Sequence, residues 1–314
     1  MKTTFKVGTR GSKLAVIQSK WVIGQLQEKY PEYKFEMCKI KTQGDIQKDM
    51  PLEIIGGKGV FVKDIQKALL DGTIDIAVHS IKDVMARLPE GLTIAAIPIR
   101  ENPQDVIISA SGLELNQLPE GSRVGTSSLR RGLLVKEIRP DLNILPIRGN
   151  VETRINKMKK GEYDAIVLAA AGLHRMGDEF KKQITHYLEA DSFIPAVGQG
   201  ALGIEVRKGS DAESLVKAIH HEETAYAVEA EREFLRRLNG NCKIPVAAHA
   251  YIDNGRIIIN GTLAKDRNSK LYYGKKEGPV NDFQQIGTSL AEEIIEKAGI
   301  EIEEWIKMQE EGDI

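Results

Sequence analysis

The sequence predicts an α/β fold of two domains with a cleft between them, followed by a small α+β domain. Short apolar runs alternate with helical patterns from the N-terminus, and the same alternation restarts after Pro103. Repeated strand–helix–strand units are typical of parallel sheets with helices on both faces. The C-terminal part instead combines a long charged helix with hairpin-like strands, and 314 residues suit two or three domains. We expect domain 1 at 1–101 and 199–219, domain 2 at 102–198 and domain 3 at 220–314.

The first block opens with a strand and a capped helix. Ser12 is the expected N-cap, because a hydroxyl at this position accepts a backbone N–H of the first turn. The apolar face of the helix is predicted to hold Leu14, Ile17, Trp21 and Leu26. The other elements predicted here are strands at 5–7, 35–40 and 74–79 and a helix at 60–70.

The second block repeats this order, and the third domain departs from it. Ser127 or Ser128 is the expected N-cap of a helix that runs to Ile138. Further elements are strands at 123–125, 143–147 and 164–169 and a helix at 151–160. In the third domain we expect helices at 225–238 and 283–297 and turns at 253–255 and 266–269.

Composition narrows the class of protein. The chain is 41% hydrophobic and 28% charged, as in a soluble globular protein, and its net charge of -1 argues against coating nucleic acid. We find no signal peptide and no apolar window long enough to span a membrane, so we expect a cytoplasmic protein with no membrane partner. Cys38 and Cys242 are the only cysteines, which excludes a cysteine-rich metal site and predicts no structural disulfide.

Arginines follow several of the predicted strands. In open parallel sheets, ligands bind beyond the carboxyl ends of the strands, where helix N-termini also attract anions. A cation at a helix N-terminus opposes the helix dipole, so each arginine alone reads as a solvated surface residue. Several at one edge, beside Ser and Thr hydroxyls, favour a site for carboxylate or phosphate. These arginines are Arg10, Arg130, Arg131, Arg148, Arg154 and Arg175.

The segment from His79 to Asp83 ends a predicted buried strand at the same edge. A carboxylate at Asp83 can hold a developing cation or move a proton, although capping a turn or pairing with Lys82 is an equally simple role. His79 has the position of a structural histidine.

The Gly-rich stretch 44–59 is long for a connection and is typical of a lid or a flexible loop. Phe61, just beyond it, belongs to the core or stacks on a flat ligand.

The two cysteines have different settings. Cys38 lies in a strand pattern, where cysteine acts as a small apolar residue. Cys242 lies in a loop between a long helix and a Pro-terminated segment, and the neighbouring Lys243 favours its thiolate. From the residues alone, Cys242 is either incidental or a reactive group.

Eight stretches, taken together and in order, make the chain resemble the porphobilinogen deaminase (hydroxymethylbilane synthase) family over nearly its whole length. Each is weak alone, and the set is specific. They are GTRGSKLA at 8–15, GGKGVF at 56–61, HSIKDV at 79–84, GTSSLRR at 125–131, RGNVETR at 148–154, AGLHR at 171–175, PAVGQGA at 195–201, and the Cys242 loop.

This resemblance implies a fold, a reaction and a cofactor. The first two domains would be like those of periplasmic binding proteins. A dipyrromethane cofactor would be joined to Cys242 by a thioether, and four porphobilinogen molecules would be added to it with loss of ammonia. Water would then release linear hydroxymethylbilane, which passes to uroporphyrinogen-III synthase in heme biosynthesis. The family also implies a monomer.

The resemblance assigns roles to individual residues. Asp83 matches the catalytic aspartate, which would hold pyrrole N–H groups and the electron-poor intermediate left when ammonia departs. Arginines suit a growing chain that accumulates acetate and propionate groups. The cofactor would be bound by Cys242, Lys82, Ser80, Thr126, Ser127, Ser128, Arg130, Arg131 and Gly172. The substrate would be bound by Arg10, Ser12, Arg148, Arg154, Arg175, Lys58, Phe61 and Gln199. No metal is implied.

Two departures from the family pattern and two alternatives remain. Asn241 replaces the usual glycine before the cofactor cysteine, and Met85 replaces a frequent proline after the HSIKDV stretch. Asn tolerates positive φ, so the loop can keep its shape.

An anion-binding module without activity is disfavoured by the missing export signal and by the Cys242 domain. A phosphate-handling transferase is disfavoured because neither a P-loop nor a GxGxxG follows a strand.

Overall fold

A computed structural model describes residues 2–42, 62–239, 244–266 and 268–311. Several sequence predictions lie outside these residues: the Gly-rich stretch, the roles of Lys58 and Phe61, and the attachment at Cys242. Within the described ranges, no helix is both long and apolar enough to cross a membrane.

The elements are numbered in chain order. The strands are β1 (Thr4–Arg10), β2 (Lys34–Ile40), β3 (Ile76–Ser80), β4 (Leu92–Ala96), β5 (Asp105–Ser109), β6 (Arg123–Gly125), β7 (Asn143–Leu145), β8 (Ala165–Ala169), β9 (His186–Tyr187), β10 (Leu202–Arg207), β11 (Val246–Asp253), β12 (Arg256–Leu263) and β13 (Tyr272–Pro279). The α-helices are α1 (Lys13–Lys29), α2 (Lys63–Leu70), α3 (Leu129–Ile138), α4 (Val151–Lys159), α5 (Ala170–Met176), α6 (Asp178–Lys181), α7 (Asp211–Val216), α8 (Glu222–Arg237), α9 (Phe283–Ala298) and α10 (Ile302–Glu311). Short 3-10 turns occupy Ile81–Asp83, Leu115–Gln117, Lys217–Ile219 and Val280–Asp282.

The chain divides into two compact units, of which unit 1 comprises Met1–Glu101 and Ala201–Ala225. Its sheet has the order β2–β1–β3–β10–β4. Strands β1, β2 and β3 are parallel as predicted, but β10 runs antiparallel to both β3 and β4. Strand β10 was not among the predicted elements, and it returns to unit 1 after the chain has built the second sheet.

Helix α1 confirms its predicted cap and corrects its predicted face. The Ala15 N–H donates to Ser12 Oγ at 3.3 Å, as an N-cap requires. Leu26 is buried, whereas Trp21 is 39% exposed. The buried face also includes Gln18, whose amide donates to Ser80 Oγ at 3.1 Å. A polar side chain with an internal partner can be buried, and such a partner is invisible to a count of apolar residues.

Unit 2 comprises Asn102–Gly200 and Tyr226–Ile314 and contains two sheets. The first has the order β7–β6–β8–β5–β9, with β6, β7 and β8 parallel and β5 antiparallel to its neighbours. The second is the antiparallel sheet β11–β12–β13. The predicted turn at its first hairpin is confirmed, because Asn254 (φ 47°) and Gly255 (φ 74°) both have positive φ.

Helices α8 and α9 share an apolar core with the antiparallel sheet. Phe234 of α8, Ile259 of β12 and Leu290 of α9 belong to one buried cluster. A Cβ at Gly287 would lie 2.2 Å from the backbone oxygen of Ala230, so the two helices need glycine at their closest approach. The result is the mixed α/β fold with a small C-terminal α+β layer expected from sequence, while the three-domain division stays a prediction.

Candidate active site

In unit 1, functional side chains meet where β1 and β3 end. Arg10 is the last residue of β1, Ser12 caps α1, and Ser80 ends β3. The chain then forms the 3-10 turn that contains Asp83. A cavity of about 80 Å³ is lined by these four residues together with Gln18 and His79, among others. The structure therefore brings together the unit 1 residues that the sequence grouped by strand ends.

The Asp83 turn is held by its backbone and by buried neighbours. The Ile81 N–H donates to the Ala201 oxygen at 3.1 Å, and the Val84 N–H closes the turn on the Ile81 oxygen at 3.0 Å. Ile81 and Val84 are buried, whereas the Asp83 side chain is exposed. The turn thus presents an accessible carboxylate on an ordered support, and the half-buried Lys82 lies next to it in the chain.

His79 is a structural histidine, as its position suggested. It is buried, and its Nε2 lies 2.9 Å from Oε2 of the fully buried Glu205. The other carboxylate oxygen of Glu205 accepts from Gln66 Nε2 at 2.8 Å.

In unit 2, the predicted hydroxyl donors follow β6. Ser128 caps α3, because its Oγ accepts the Arg131 N–H at 3.4 Å. Ser127 Oγ donates to the Ile147 oxygen at 2.8 Å and accepts the Ile147 N–H at 3.0 Å. Thr126 Oγ1 accepts the Ser128 N–H at 3.2 Å. These hydroxyls therefore fix the loops after β6 and β7, and the exposed Ser127 remains reachable from solvent.

Arg130 and Arg131 point into the protein and share Asp105. Arg130 Nη1 lies 2.7 Å from Asp105 Oδ2, and Arg131 Nη2 lies 2.6 Å from Oδ1. Gln199 Nε2 also donates to Oδ1, at 2.9 Å, and to the Pro103 oxygen at 2.7 Å. Asp105 is fully buried, and the two arginines are 5% and 8% exposed. The sequence predicted both arginines as ligand-binding residues but did not identify the acid that holds them.

The charged groups of this cluster shift each other's pKa. Burial raises the pKa of Asp105, but the charges of Arg130 and Arg131 outweigh this and hold it well below its usual range. Burial lowers the pKa of Arg130, Asp105 raises it, and the neighbouring Arg131 lowers it. One carboxylate thus faces two guanidinium groups, so their charges are compensated only in part.

Arg148 and Arg154 add to this positive potential. Burial, together with the charges of Arg131 and Arg148, lowers the pKa of Arg154 to about 10. Arg154 Nε donates to the Gly149 oxygen at 2.8 Å, beside the N-terminus of α4, which Asn150 caps. The guanidinium groups are therefore close enough to repel each other, and an anion bound here would be stabilised.

The remaining predicted residues of unit 2 lie on α5, directly after β8. Gly172 is within this helix, and Arg175 Nη2 donates to the Gly200 oxygen at 2.8 Å. This contact ties Arg175 to the segment that contains Gln199. Among the described residues, no cluster of histidine, cysteine and carboxylate side chains is arranged to hold a metal ion.

Sequence analysis missed Asp105, Glu205 and Gln66. A signal existed for the two acids. Asp105 begins the apolar strand DVIIS, and Glu205 is the one acid in LGIEVR. A charge inside an apolar strand requires a buried partner, although the pattern does not say which one.

Comparison with known proteins shows the family of this chain over most of its length. Residues 5–215 match the family model "Porphobilinogen deaminase, dipyromethane cofactor binding domain", and residues 225–296 match "Porphobilinogen deaminase, C-terminal domain". A porphobilinogen deaminase of Syntrophobacter fumaroxidans is 44% identical over 302 residues, covering 96% of this chain and 97% of the relative. One from Syntrophotalea carbinolica is 46% identical and covers 93% of each chain. A solved methionine binding protein, MetQ, overlaps 71% of this chain and 92% of its own, with 13% identity and a TM-score of 0.45.

Proposed function

Since this chain belongs to the porphobilinogen deaminase family, it is a hydroxymethylbilane synthase, and we propose which of its residues perform the reaction. The enzyme is a transferase that polymerises porphobilinogen in tetrapyrrole biosynthesis. It uses a dipyrromethane cofactor linked covalently through a cysteine.

Asp83 is the proposed catalytic residue. In each addition, loss of ammonia from porphobilinogen leaves an electron-poor methylene carbon, which a nearby carboxylate stabilises until the new bond forms. The observation that carries this assignment is the cavity that Asp83 shares with Arg10, Ser12 and Ser80. Asp83 itself lies on the 3-10 turn that follows β3. Arg10 and Ser12 are proposed to bind substrate carboxylates, and Ser80 and Lys82 to contact the cofactor.

The unit 2 residues suit a cofactor rich in carboxylates. When bound, dipyrromethane supplies the chain end to which each new unit is joined. We propose that Arg148, Arg154 and Arg175 bind the acetate and propionate groups of the growing chain. Arg130 and Arg131, held by Asp105, would add positive potential toward the cofactor. Donors from Thr126, Ser127, Ser128 and Gly172 and an amide from Gln199 complete the proposed set.

The proposed attachment point is Cys242, between the end of α8 and the start of β11. A tether keeps the chain end in place, so that each addition is effectively intramolecular. Lys58 and Phe61 are proposed substrate contacts. We further propose a cytoplasmic monomer that passes its product to uroporphyrinogen-III synthase.

Intact-mass spectrometry tests the attachment. The purified wild-type enzyme should carry an adduct of two pyrrole units, and Cys242→Ser should lack the adduct and the activity. Cys38→Ser is the matched control, because Cys38 is a half-buried residue of β2 and should keep both. An active wild-type protein with an unmodified Cys242 thiol would refute the assignment.

A further inference from the structure

Glu205 is a buried acid to which the proposed mechanism gives no role. It has no exposed surface and lies in β10 between apolar neighbours. Burying a carboxylate in such a place is costly unless hydrogen-bond donors surround it. Gln66 Nε2 at 2.8 Å and His79 Nε2 at 2.9 Å are the donors that hold it. The acid therefore joins β10 to helix α2 and to the end of β3.

The sheet register explains why Glu205 reaches His79. In the antiparallel pair of β10 and β3, His79 lies opposite Gly203, and Glu205 lies opposite Ala77. Residues two apart on a strand share a face, so Glu205 extends diagonally to His79. His79 is the second-last residue of β3, one position before Ser80 and the turn that contains Asp83.

The same face of β10 also supports the first residue of that turn. A Cβ at Gly203 would lie 2.4 Å from Cδ1 of Ile81, so the missing side chain makes the space that Ile81 fills. The Ile81 N–H donates to the Ala201 oxygen at 3.1 Å. Besides the ladder of the antiparallel pair, three contacts fix the end of β3 to β10: a polar one at His79, an apolar one at Ile81 and a backbone one at Ala201.

We propose that Glu205 is a positioning residue for the reaction, acting through His79 on the turn that carries Asp83. This inference rests on the proposed catalytic role of Asp83. The carboxylate accepts from both partners, so the His79 proton lies on Nε2. A neutral amide in place of Glu205 has one acceptor oxygen for the two donors of Gln66 and His79, so it keeps both contacts only if the His79 proton moves from Nε2 to Nδ1.

Glu205→Gln tests the proposal with little change in side-chain size. Misplacement of the turn should lower kcat for porphobilinogen by about 10- to 100-fold. The KM should stay within about twofold, and the cofactor mass should be unchanged, because the substrate-binding arginines keep their places. The double variant Glu205→Gln/His79→Gln pairs two amides again and should recover part of the lost kcat.

Asp75→Asn is the matched control. Asp75 is also a buried acid of unit 1 that accepts hydrogen bonds, from Lys2 Nζ, the Lys6 N–H and Arg207 Nη2. It precedes β3 and so lies at the opposite end of the strand from Asp83. This variant should lower the melting temperature but keep kcat. If Glu205→Gln also lowers only the melting temperature, Glu205 is a structural residue and the proposal fails.

Two further measurements keep the outcomes distinct. Asp83→Asn tests the proposed function itself, because full activity of this variant would remove Asp83 from catalysis. If Asp83→Asn is inactive and Glu205→Gln is fully active, only the role of Glu205 is refuted. If Glu205→Gln does not fold, nitrogen NMR of the His79 ring in the wild-type enzyme decides. A proton on Nε2 supports the proposal, and an unprotonated Nε2 overturns it.

Discussion

The two α/β sheets place a buried acid on corresponding strands but surround it differently. In unit 1 the fourth strand in sheet order is the antiparallel β10, and in unit 2 it is the antiparallel β5. Glu205 on β10 and Asp105 on β5 are both fully buried. Each accepts a hydrogen bond from a glutamine amide, at 2.8 Å from Gln66 and 2.9 Å from Gln199. The remaining partner is a single histidine in unit 1 and a pair of arginines in unit 2.

The same strand arrangement therefore surrounds its buried acid with different charges in the two units. The Glu205 carboxylate is paired with one histidine ring, and the exposed carboxylate of Asp83 lies in the turn that follows this histidine. The Asp105 carboxylate is outnumbered by two guanidinium groups, and Arg154 adds to their repulsion. In our proposal, a buried acid beside the third parallel strand therefore supports a catalytic carboxylate or a cationic binding surface, depending on its partners.

The largest effect should come from removing the charge of Asp105. Asp105→Asn leaves two buried guanidinium groups without their counter-ion, which should cost between about 3 and 5 kcal/mol of unfolding free energy in urea. As a control, Glu277→Gln removes an exposed partner of Arg256 and should cost under about 1 kcal/mol. Equal losses in the two variants would mean that Asp105 is not the centre of unit 2 electrostatics.

An intermediate effect is expected at Arg148. Arg148→Leu removes a cation from the proposed chain-binding surface, so substrate-chain binding should weaken by about 10- to 100-fold or elongation should stop early. Mass spectrometry of the enzyme after porphobilinogen addition would reveal shortened chains. Arg123→Leu removes an arginine from the start of β6 and should leave chain length unchanged. Normal yields of the linear tetrapyrrole from Arg148→Leu would contradict the assignment.

The smallest effect concerns acid sensitivity, because a hydrogen bond of unit 1 depends on the unprotonated nitrogen of His220, whereas the buried acid of unit 2 is held by two arginines. His220 Nδ1 accepts the Ile97 N–H at 3.1 Å, which requires an unprotonated nitrogen. Partial burial lowers the pKa of His220, and the charges of His221 and Lys217 also lower it, against the opposing effect of Glu222. A folded pKa below the unfolded value near 6.5 gives stability that is present above about pH 6.5 and is lost as the pH falls toward the folded pKa.

Hydrogen exchange at pH 7 and pH 5 would measure this loss at the Ile97 amide. The ion pairs of Asp105 with Arg130 and Arg131 should persist between pH 7 and pH 5, because the pKa of Asp105 lies well below this range. His220→Asn supplies an acceptor that does not titrate, so protection in that variant should change less between the two pH values. An equal loss in wild type and variant would exclude His220 as the sensitive group.

Local signals in the sequence predicted much of the fold. Ser12 was identified as a cap, and Ser128 as one of two candidate caps, because a hydroxyl before a helical pattern commonly accepts a backbone N–H of the first turn. The parallel strands of both sheets were predicted from repeated strand–helix–strand units, and the hairpin from the turn residues Asp253, Asn254 and Gly255. The antiparallel strands β5 and β10 were missed, since their partners are distant in sequence.

For the candidate site, too, local signals predicted some features and missed those that depend on distant residues. Strand-end position was enough to group Arg10 with Asp83, and Arg131 with Arg148 and Arg154. It was not enough to show that Arg130 and Arg131 face inward, because the acid that draws them in lies on an antiparallel strand. The partners of Glu205 were beyond reach for the same reason: they lie 126 and 139 positions away in the chain.

The glycine at position 203 links two distant parts of the chain. Its Cα hydrogen faces Ile81, and a single added methyl group would occupy the space of Cδ1. Positions 81 and 203 should therefore vary as a pair during evolution, with a larger residue at 203 tolerated only beside a smaller one at 81. A residue without any functional group thereby limits which substitutions can survive next to Asp83.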